Sequence, residues 1–368
     1  MGQLNIISRN IRTAFAKFLF DKKERKLADG NYYKSEGILD VLKFRSVLFV
    51  IHDDRIGDMI ISTIEFREIK KKYPNIKVFV LCGKNGKETL KYNPNVDEIF
   101  EVCGKFCKDL KIYKRLREKH IGILIDFFEF NPRPSHLLFL RIINPFFLIG
   151  FSKKNYNTYD LSIDENFFDT HMVNRHKAVL KILGIDNPNL DYDIFFTQKE
   201  KNEAQKYLDK SGGKIKVVIN PFASSKHRTF KYEKLRDLAL RITRTQKCGV
   251  YILCPPYNYK SIKNIEKADN NIIAVRLNSI LSVAAFIKEC DIVISPDTSI
   301  IHIASAFNKK TIGLYLDFSF RQEKTDIIWG PNNSNAVIIN ADAQNGKIEN
   351  DINNIDNNKI FNKFKEMI

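Results

Sequence analysis

The 368-residue chain has no apolar run long enough to span a bilayer, which would take about 20 residues. Its most apolar segment, 137–151, is broken by Arg141, Asn144 and Pro145 and reads as a buried helix running into a strand. The beginning of the chain is basic. Lys17 interrupts its apolar stretch and no small-residue cleavage site follows, so no secretory signal is expected. There are only six cysteines. Cys82, Cys254 and Cys290 sit in or beside apolar runs and read as buried thiols. Cys103 and Cys107 are four apart, but no second His/Cys pair completes a zinc site. A reducing cytosol fits this usage. No Gly-x-Gly-x-x-Gly loop, no solenoid repeat and no carboxylate- or His-rich metal cluster is visible, so no metal or other cofactor is expected. Acidic residues are scarce beside basic ones, 43 against 60, for a net charge of +17. That excess favours an anionic partner: nucleic acid, an anionic membrane, a phosphorylated glycolipid or a phosphate-bearing substrate. No aromatic-basic recognition module supports the first of these, and no nucleic-acid partner is expected.

What is present is a regular alternation. From Ser46, strand-length apolar runs (47–51, 78–82, 121–128, 146–151) alternate with helical stretches, the first over 58–72. The pattern resumes with runs at 217–219, 250–253, 272–275, 292–294 and 312–315 and helices near 232–246, 259–268, 280–289 and 299–307. Short, continuously apolar strands between helices predict parallel sheets covered on both faces. The fold class is α/β, with two Rossmann-like domains facing each other across a cleft. A polar stretch over 152–215 contains one good helix, 171–183, ended by Gly184. The expected division is a basic amphipathic extension (1–45), a first domain (46–197), a second domain (198–345) and a tail with a short helix over 358–367 (346–368). Residues 9–27 form a candidate amphipathic helix. Ile11, Ala14, Phe15, Phe18 and Leu19 share a face ringed by Arg and Lys, which suits either an anionic lipid surface or the protein's own body.

Three motifs follow strands, where ligands of open α/β sheets bind. The first is Asp53-Asp54-Arg55-Ile56-Gly57-Asp58-Met59. Gly57 allows close approach or positive φ. Asp58, at a helix start, is either an N-cap or an ionised carboxylate able to take a proton from an attacking hydroxyl. Arg55 is a candidate for an anionic acceptor or a donor phosphate. The second motif runs from Asn220-Pro221 through Ser224, Ser225, Lys226, His227, Arg228 and Thr229. Hydroxyls and cations before a helix suit a diphosphate, or form a plain basic surface loop. The third is Ser295-Pro296-Asp297-Thr298-Ser299-Ile300-Ile301-His302. Its turn presents backbone N–H groups and two hydroxyls to a phosphate, leaving Asp297 to cap or to hold a neighbouring loop, and His302 one turn into the helix.

Taken in this order, the motifs resemble the heptosyltransferase family, glycosyltransferase family 9. The resemblance covers roughly 46–330. Arg55-Ile-Gly-Asp58-Met with Ser62-Thr63 resembles the family's first glycine-Asp loop. Asn220-Pro-Phe-Ala-Ser224 resembles its Pro-Gly-Ala-Ser turn, and Asp297-Thr-Ser-Ile-Ile-His302-Ile-Ala304 its Asp-Thr-Gly-Pro-x-His-x-Ala segment. Residues 179–185 resemble the helix before the family's second domain. The resemblance implies a GT-B fold with an acceptor-side first domain and a nucleotide-sugar-binding second domain. It implies metal-independent, inverting transfer of a heptose from ADP-heptose to the lipopolysaccharide inner core, by an enzyme peripheral to the cytoplasmic face of the inner membrane. By position, Asp58 is the general base. Ser224, Arg228, Asp297, Thr298, Ser299 and His302 hold the donor, and Arg55 and Gly57 meet the acceptor or a phosphate.

The sequence departs from the pattern at Phe222 (usually Gly), Arg228 (Lys), Phe230 (Trp), Lys231 (Pro), Ser299 (Gly) and Ile300 (Pro). These positions bear on the donor sugar and nucleotide. A GT-B transferase using another nucleotide sugar for a surface glycan, a nucleotide-sugar epimerase, an inactive scaffold and a basic nucleic-acid-binding protein are the alternative expectations.

Overall fold

A computed structural model describes residues 21, 32–35, 37–51, 54–128, 131–165, 167, 169–245, 247–255, 258–316, 324–341 and 351–368. The chain divides into two compact units, Met1–Asn166 with Arg175–Leu190, and Phe167–Asn174 with Asp191–Ile368. Residues 167–174 belong to the second unit because His171 Nε2–H donates to Gly330 O and Met172 N–H to Ile328 O, both at 2.9 Å.

Among the described residues the first strands of the first unit are a small antiparallel pair, β1 (Tyr33–Ser35) and β2 (Ile38–Leu39). Its main sheet contains β3 (Ser46–Val50), β4 (Lys77–Cys82), β5 (Glu98–Glu101), β6 (Ile123–Asp126), β7 (Phe147–Phe151) and β8 (Leu161–Ile163). All neighbours are parallel, in the order β5-β4-β3-β6-β7-β8. The central strands are buried on both faces, which is why they read as unbroken apolar runs. The edge strands β5 and β8 are part-exposed and carry polar residues, so they give no such run.

In the second unit, β9 (Ile215–Ile219), β10 (Cys248–Leu253), β11 (Ile272–Val275), β12 (Ile292–Pro296), β13 (Lys310–Tyr315) and β14 (Ala336–Asn340) form a parallel sheet in the order β11-β10-β9-β12-β13-β14. The tail helix Asn357–Met367 belongs to this unit. Ile360 and Phe364 are fully buried in its core, each contributing roughly 1.5–3 kcal/mol of burial. The helix Val173–Ile182 starts in this unit and runs into the first, where it ends as expected: Gly184 takes φ +76°, and Ile185 N–H returns to Leu180 O.

Both sheets share one order: the first strand sits centrally, two strands run outward on one side and three on the other. The direction of winding reverses between β3 and β6 in the first unit and between β9 and β12 in the second. At such a reversal the two outgoing loops diverge and leave a crevice at the strands' carboxyl ends. The first motif leaves β3; the second and third leave β9 and β12. These are Rossmann-like units of GT-B type.

The candidate helix over 9–27 lies outside the described residues, except for Asp21. That residue is buried and accepts from Thr158 N–H (2.8 Å) and Oγ1–H (2.9 Å). Among the described residues no helix is long and apolar enough to cross a membrane.

Candidate donor and acceptor sites

In the second unit, the β9 and β12 loops are stitched together by side chains. Asn220, buried at the end of β9, donates from Nδ2 to Ser295 Oγ (3.0 Å) and Thr298 Oγ1 (3.1 Å). Thr298 is the N-cap of the helix Ser299–Ala306, its hydroxyl accepting from Ile300 N–H. Asp297 is therefore not the cap. It accepts from Arg228 Nη1 at 2.8 Å, and its carbonyl accepts from the same nitrogen at 3.0 Å. The other fork of Arg228 donates to Ser224 Oγ at 3.0 Å. Arg228, Ser224, Asp297 and Thr298 thus come together around the reversal, with Ser299 at the first helical position. Charge, hydroxyls and the positive end of a helix dipole meet there, as a diphosphate requires.

A cavity of about 470 Å³ opens on the same loop, lined by Ser224, Ser225, Lys226, His227 and Lys231, with Asp351 and Asn353 from the C-terminal segment. Asn353 holds this loop from both sides. Its Nδ2 donates to Thr229 O (2.9 Å) and its Oδ1 accepts Lys231 N–H (2.8 Å).

Two of the departures from the family pattern acquire a reason here. Lys231 and Ile300 stand where the pattern has proline, and each uses the N–H that proline lacks: Lys231 for Asn353, Ile300 for Thr298. Phe230 is buried in the core and Phe222 packs against it.

His302 is buried and packs edge-on against Tyr192, ring centroids 6.1 Å apart. Its Nδ1 and the Tyr192 hydroxyl are both buried without a hydrogen-bond partner among the described residues. Burial, with His171 nearby adding to it, pushes the His302 pKa down from 6.5 to about 3. His302 is thus a neutral imidazole, and any donor contact it makes is that of a neutral group. Between about 3 and 6.5 the unfolded chain binds a proton that the folded chain refuses. Stability therefore rises with pH across that window, and the penalty disappears above it. At pH 5 the deficit from this one group is about 2 kcal/mol. His302→Gln should flatten this part of the profile in urea unfolding at pH 5 and 7.5; an unchanged slope would contradict a buried neutral His302.

In the first unit the helix that carries the first motif is Ile56–Ile61, two residues earlier than the sequence pattern suggested. Arg55 is its exposed N-cap and makes no side-chain cap bond. Asp58 is the third helical residue rather than the cap, half-buried at the positive end of the helix. Gly57 is helical, so it is not glycine for the sake of a positive φ.

Next to β3, the last residue of β6 is Asp126, fully buried. Its Oδ2 accepts from Tyr159 Oη–H at 2.5 Å and lies 2.7 Å from His136 Nε2, while Oδ1 accepts Phe128 N–H at 3.1 Å. Lys153, equally buried, donates to Phe151 O at 2.8 Å, and burial lowers its pKa. Asp126, His136, Tyr159 and Lys153 were not singled out in the sequence. The available signal was a carboxylate closing an apolar strand run. Among the described residues no group of three or more His, Cys, Asp or Glu side chains is placed to hold a metal ion.

The family model of glycosyltransferase family 9 (heptosyltransferase) matches residues 111–357. The span contains the second and third motifs, while Asp58 and its loop precede it. A candidate lipopolysaccharide heptosyltransferase 4 of Escherichia coli K12 is 26% identical over 337 residues, 89% of this chain and 88% of that protein. The glycosyl transferase family 9 structure from Veillonella parvula DSM 2008 aligns at a TM-score of 0.74 and 14% identity, covering 88% of this chain and 97% of that one. The E. coli ADP-heptose lipopolysaccharide heptosyltransferase II structure aligns at 0.69 and 17%, covering 88% and 98%. With most of the chain matched by the family model and the matching fold in both units, this protein belongs to glycosyltransferase family 9, the heptosyltransferases.

Proposed function

We propose that the enzyme transfers a heptose from ADP-heptose to the inner core of lipopolysaccharide by a single inverting displacement that uses no metal ion. The observation that carries this reading is the Asn220–Arg228–Asp297–Thr298 network at the winding reversal of the second sheet. It presents a guanidinium, hydroxyls and a helix N-terminus where a nucleotide diphosphate would lie. The names of the E. coli relatives supply the sugar, the nucleotide and the acceptor class. Asp58 takes the proton of the acceptor hydroxyl as that oxygen attacks the anomeric carbon. As the bond to the leaving diphosphate breaks, Arg228, Thr298, Ser299 and the helix N-terminus stabilise the charge that gathers there. Arg55 and Gly57, beside Asp58, meet the acceptor.

The test offers the purified enzyme a panel of nucleotide sugars with a truncated lipopolysaccharide acceptor and reads product mass, with and without chelator. Heptosyl addition from ADP-heptose, unchanged by chelator, is expected. Turnover of another nucleotide sugar alone would replace the donor assignment. Isomerisation of the sugar without acceptor would make the protein an epimerase.

We further propose a peripheral position on the cytoplasmic face of the inner membrane, held by the basic beginning of the chain and the net charge of +17. Removing residues 1–20 keeps Asp21 and its bonds to Thr158. The truncated protein should bind anionic liposomes at least several-fold more weakly than the full chain. Equal binding would remove the membrane role of this segment.

A further inference from the structure

Among the described residues no side-chain cap bond opens the helix that carries Asp58, yet the turn before it is anchored from outside. Asp54, one residue before Arg55, has φ +48°, a left-handed conformation uncommon for a residue with a side chain. It turns its carboxylate onto a different element. Oδ1 accepts Gly86 N–H at 2.8 Å, and Oδ2 accepts Asn85 N–H at 3.2 Å. These N–H groups open the helix Lys84–Leu90, whose own N-cap, Gly83, has no side chain to offer. Asp54 therefore caps a helix some thirty residues away in sequence.

The fit is close on every side. A Cβ on Gly83 would lie 2.3 Å from Asp54 Cγ and 2.6 Å from its Oδ2. One on Gly86 would meet Cys82 Sγ and Met59 Sδ at 2.9 Å, so the capped helix also presses on the residue after Asp58. Burial, with the Asp54 carboxylate adding to it, pushes the Cys82 thiol up to about 12.

We propose that Asp54 is a positioning residue for Asp58, and that Gly83 is glycine because Asp54 occupies the space of a side chain. This rests on Asp58 being the base. The chain leaves β3, is pinned at Asp54 to the neighbouring helix, and enters the Ile56–Ile61 helix with its phase set. Asp58 then stands at a defined place one turn on.

The expected result for Asp54→Ala is a 10- to 100-fold fall in kcat, the scale of a misplacement of about 1 Å at a reacting group. Donor KM and ADP binding should stay within about twofold, because the donor residues lie in the other unit. Asp54→Asn keeps one acceptor for Gly86 N–H and tolerates positive φ, so it should recover most of the loss. Gly83→Ala reaches the same contact from the other side. Its backbone, φ −81° and ψ −170°, suits alanine, so its damage should come through Asp54 alone. It should lower kcat like Asp54→Ala in the wild-type background, yet change it less than about twofold on top of Asp54→Gly. Should Asp54→Ala fail to fold, the Gly83→Ala and Asp54→Gly pair still gives the answer.

The proposal is overturned if Asp54→Ala keeps kcat within twofold, if donor KM and ADP binding collapse along with kcat, or if Gly83→Ala is equally damaging after Asp54→Gly. Asp58→Ala, run beside them, separates the two readings. If it is inactive while Asp54→Ala is normal, only the positioning role fails. If it is fully active, the base assignment fails and the positioning role with it.

Discussion

Replacing Asp58 by alanine should lower kcat by about 10²–10⁴-fold, the usual contribution of a positioned general base. ADP should bind as before. Asp58 is the third residue of the helix Ile56–Ile61, at the positive end of its dipole. Arg55 holds the N-cap position and the helix begins at Ile56, so Asp58 is not spent as the N-cap. The change therefore removes a carboxylate without touching the N-cap position. Steady-state kinetics with ADP-heptose and a truncated acceptor, beside calorimetric titration of ADP, separates the two effects. Normal turnover by this variant would show that the base lies elsewhere.

Arg228→Ala should lower kcat/KM for the donor by about 10²–10³-fold, the range found when one group stabilising transition-state charge is removed. The guanidinium serves two purposes. It would meet the diphosphate, and it already neutralises Asp297, 2.8 Å away. Losing it leaves a carboxylate beside the proposed phosphate site, so part of the expected damage is repulsion. Removing Asp297 as well should then cost less than the two single losses combined. Arg228→Lys, the residue usual in the family pattern, restores the charge but not the fork that spans Ser224 and Asp297, and should recover only part of the rate. Donor kcat/KM within threefold of wild type for Arg228→Ala would remove Arg228 from the donor site.

The parts of this protein that could be read from sequence are those whose physics is local. β3, β4, β7, β10 and β12 are buried on both faces and appear as apolar runs. β5 and β14 are edge strands with exposed positions, and their mixed composition hid them. The helix Gln198–Leu208 went unread although Thr197 and Glu200 form a capping box, a signature visible in the sequence.

The site follows the same division. Asp58, Arg228, Asp297 and Thr298 could be chosen because each lies in a polar loop at the end of an apolar strand. Their partners could not. Arg228 meets Asp297 across 69 positions, Asn220 meets Thr298 across 78, and Lys231 meets Asn353 across 122. Only the strand order, which places β9 beside β12, brings the first two pairs together. The backbone N–H groups of Lys231 and Ile300 show why two departures at proline positions fit this chain, a reason that requires the cap and loop geometry.

The anomeric configuration of the transferred sugar, read by NMR on the product of the wild-type enzyme with ADP-heptose, tests the proposed chemistry most directly. A single displacement with Asp58 as base predicts one added heptose whose configuration is opposite to that of the donor. A product with the donor's configuration retained, or no heptose transferred at all, would contradict it.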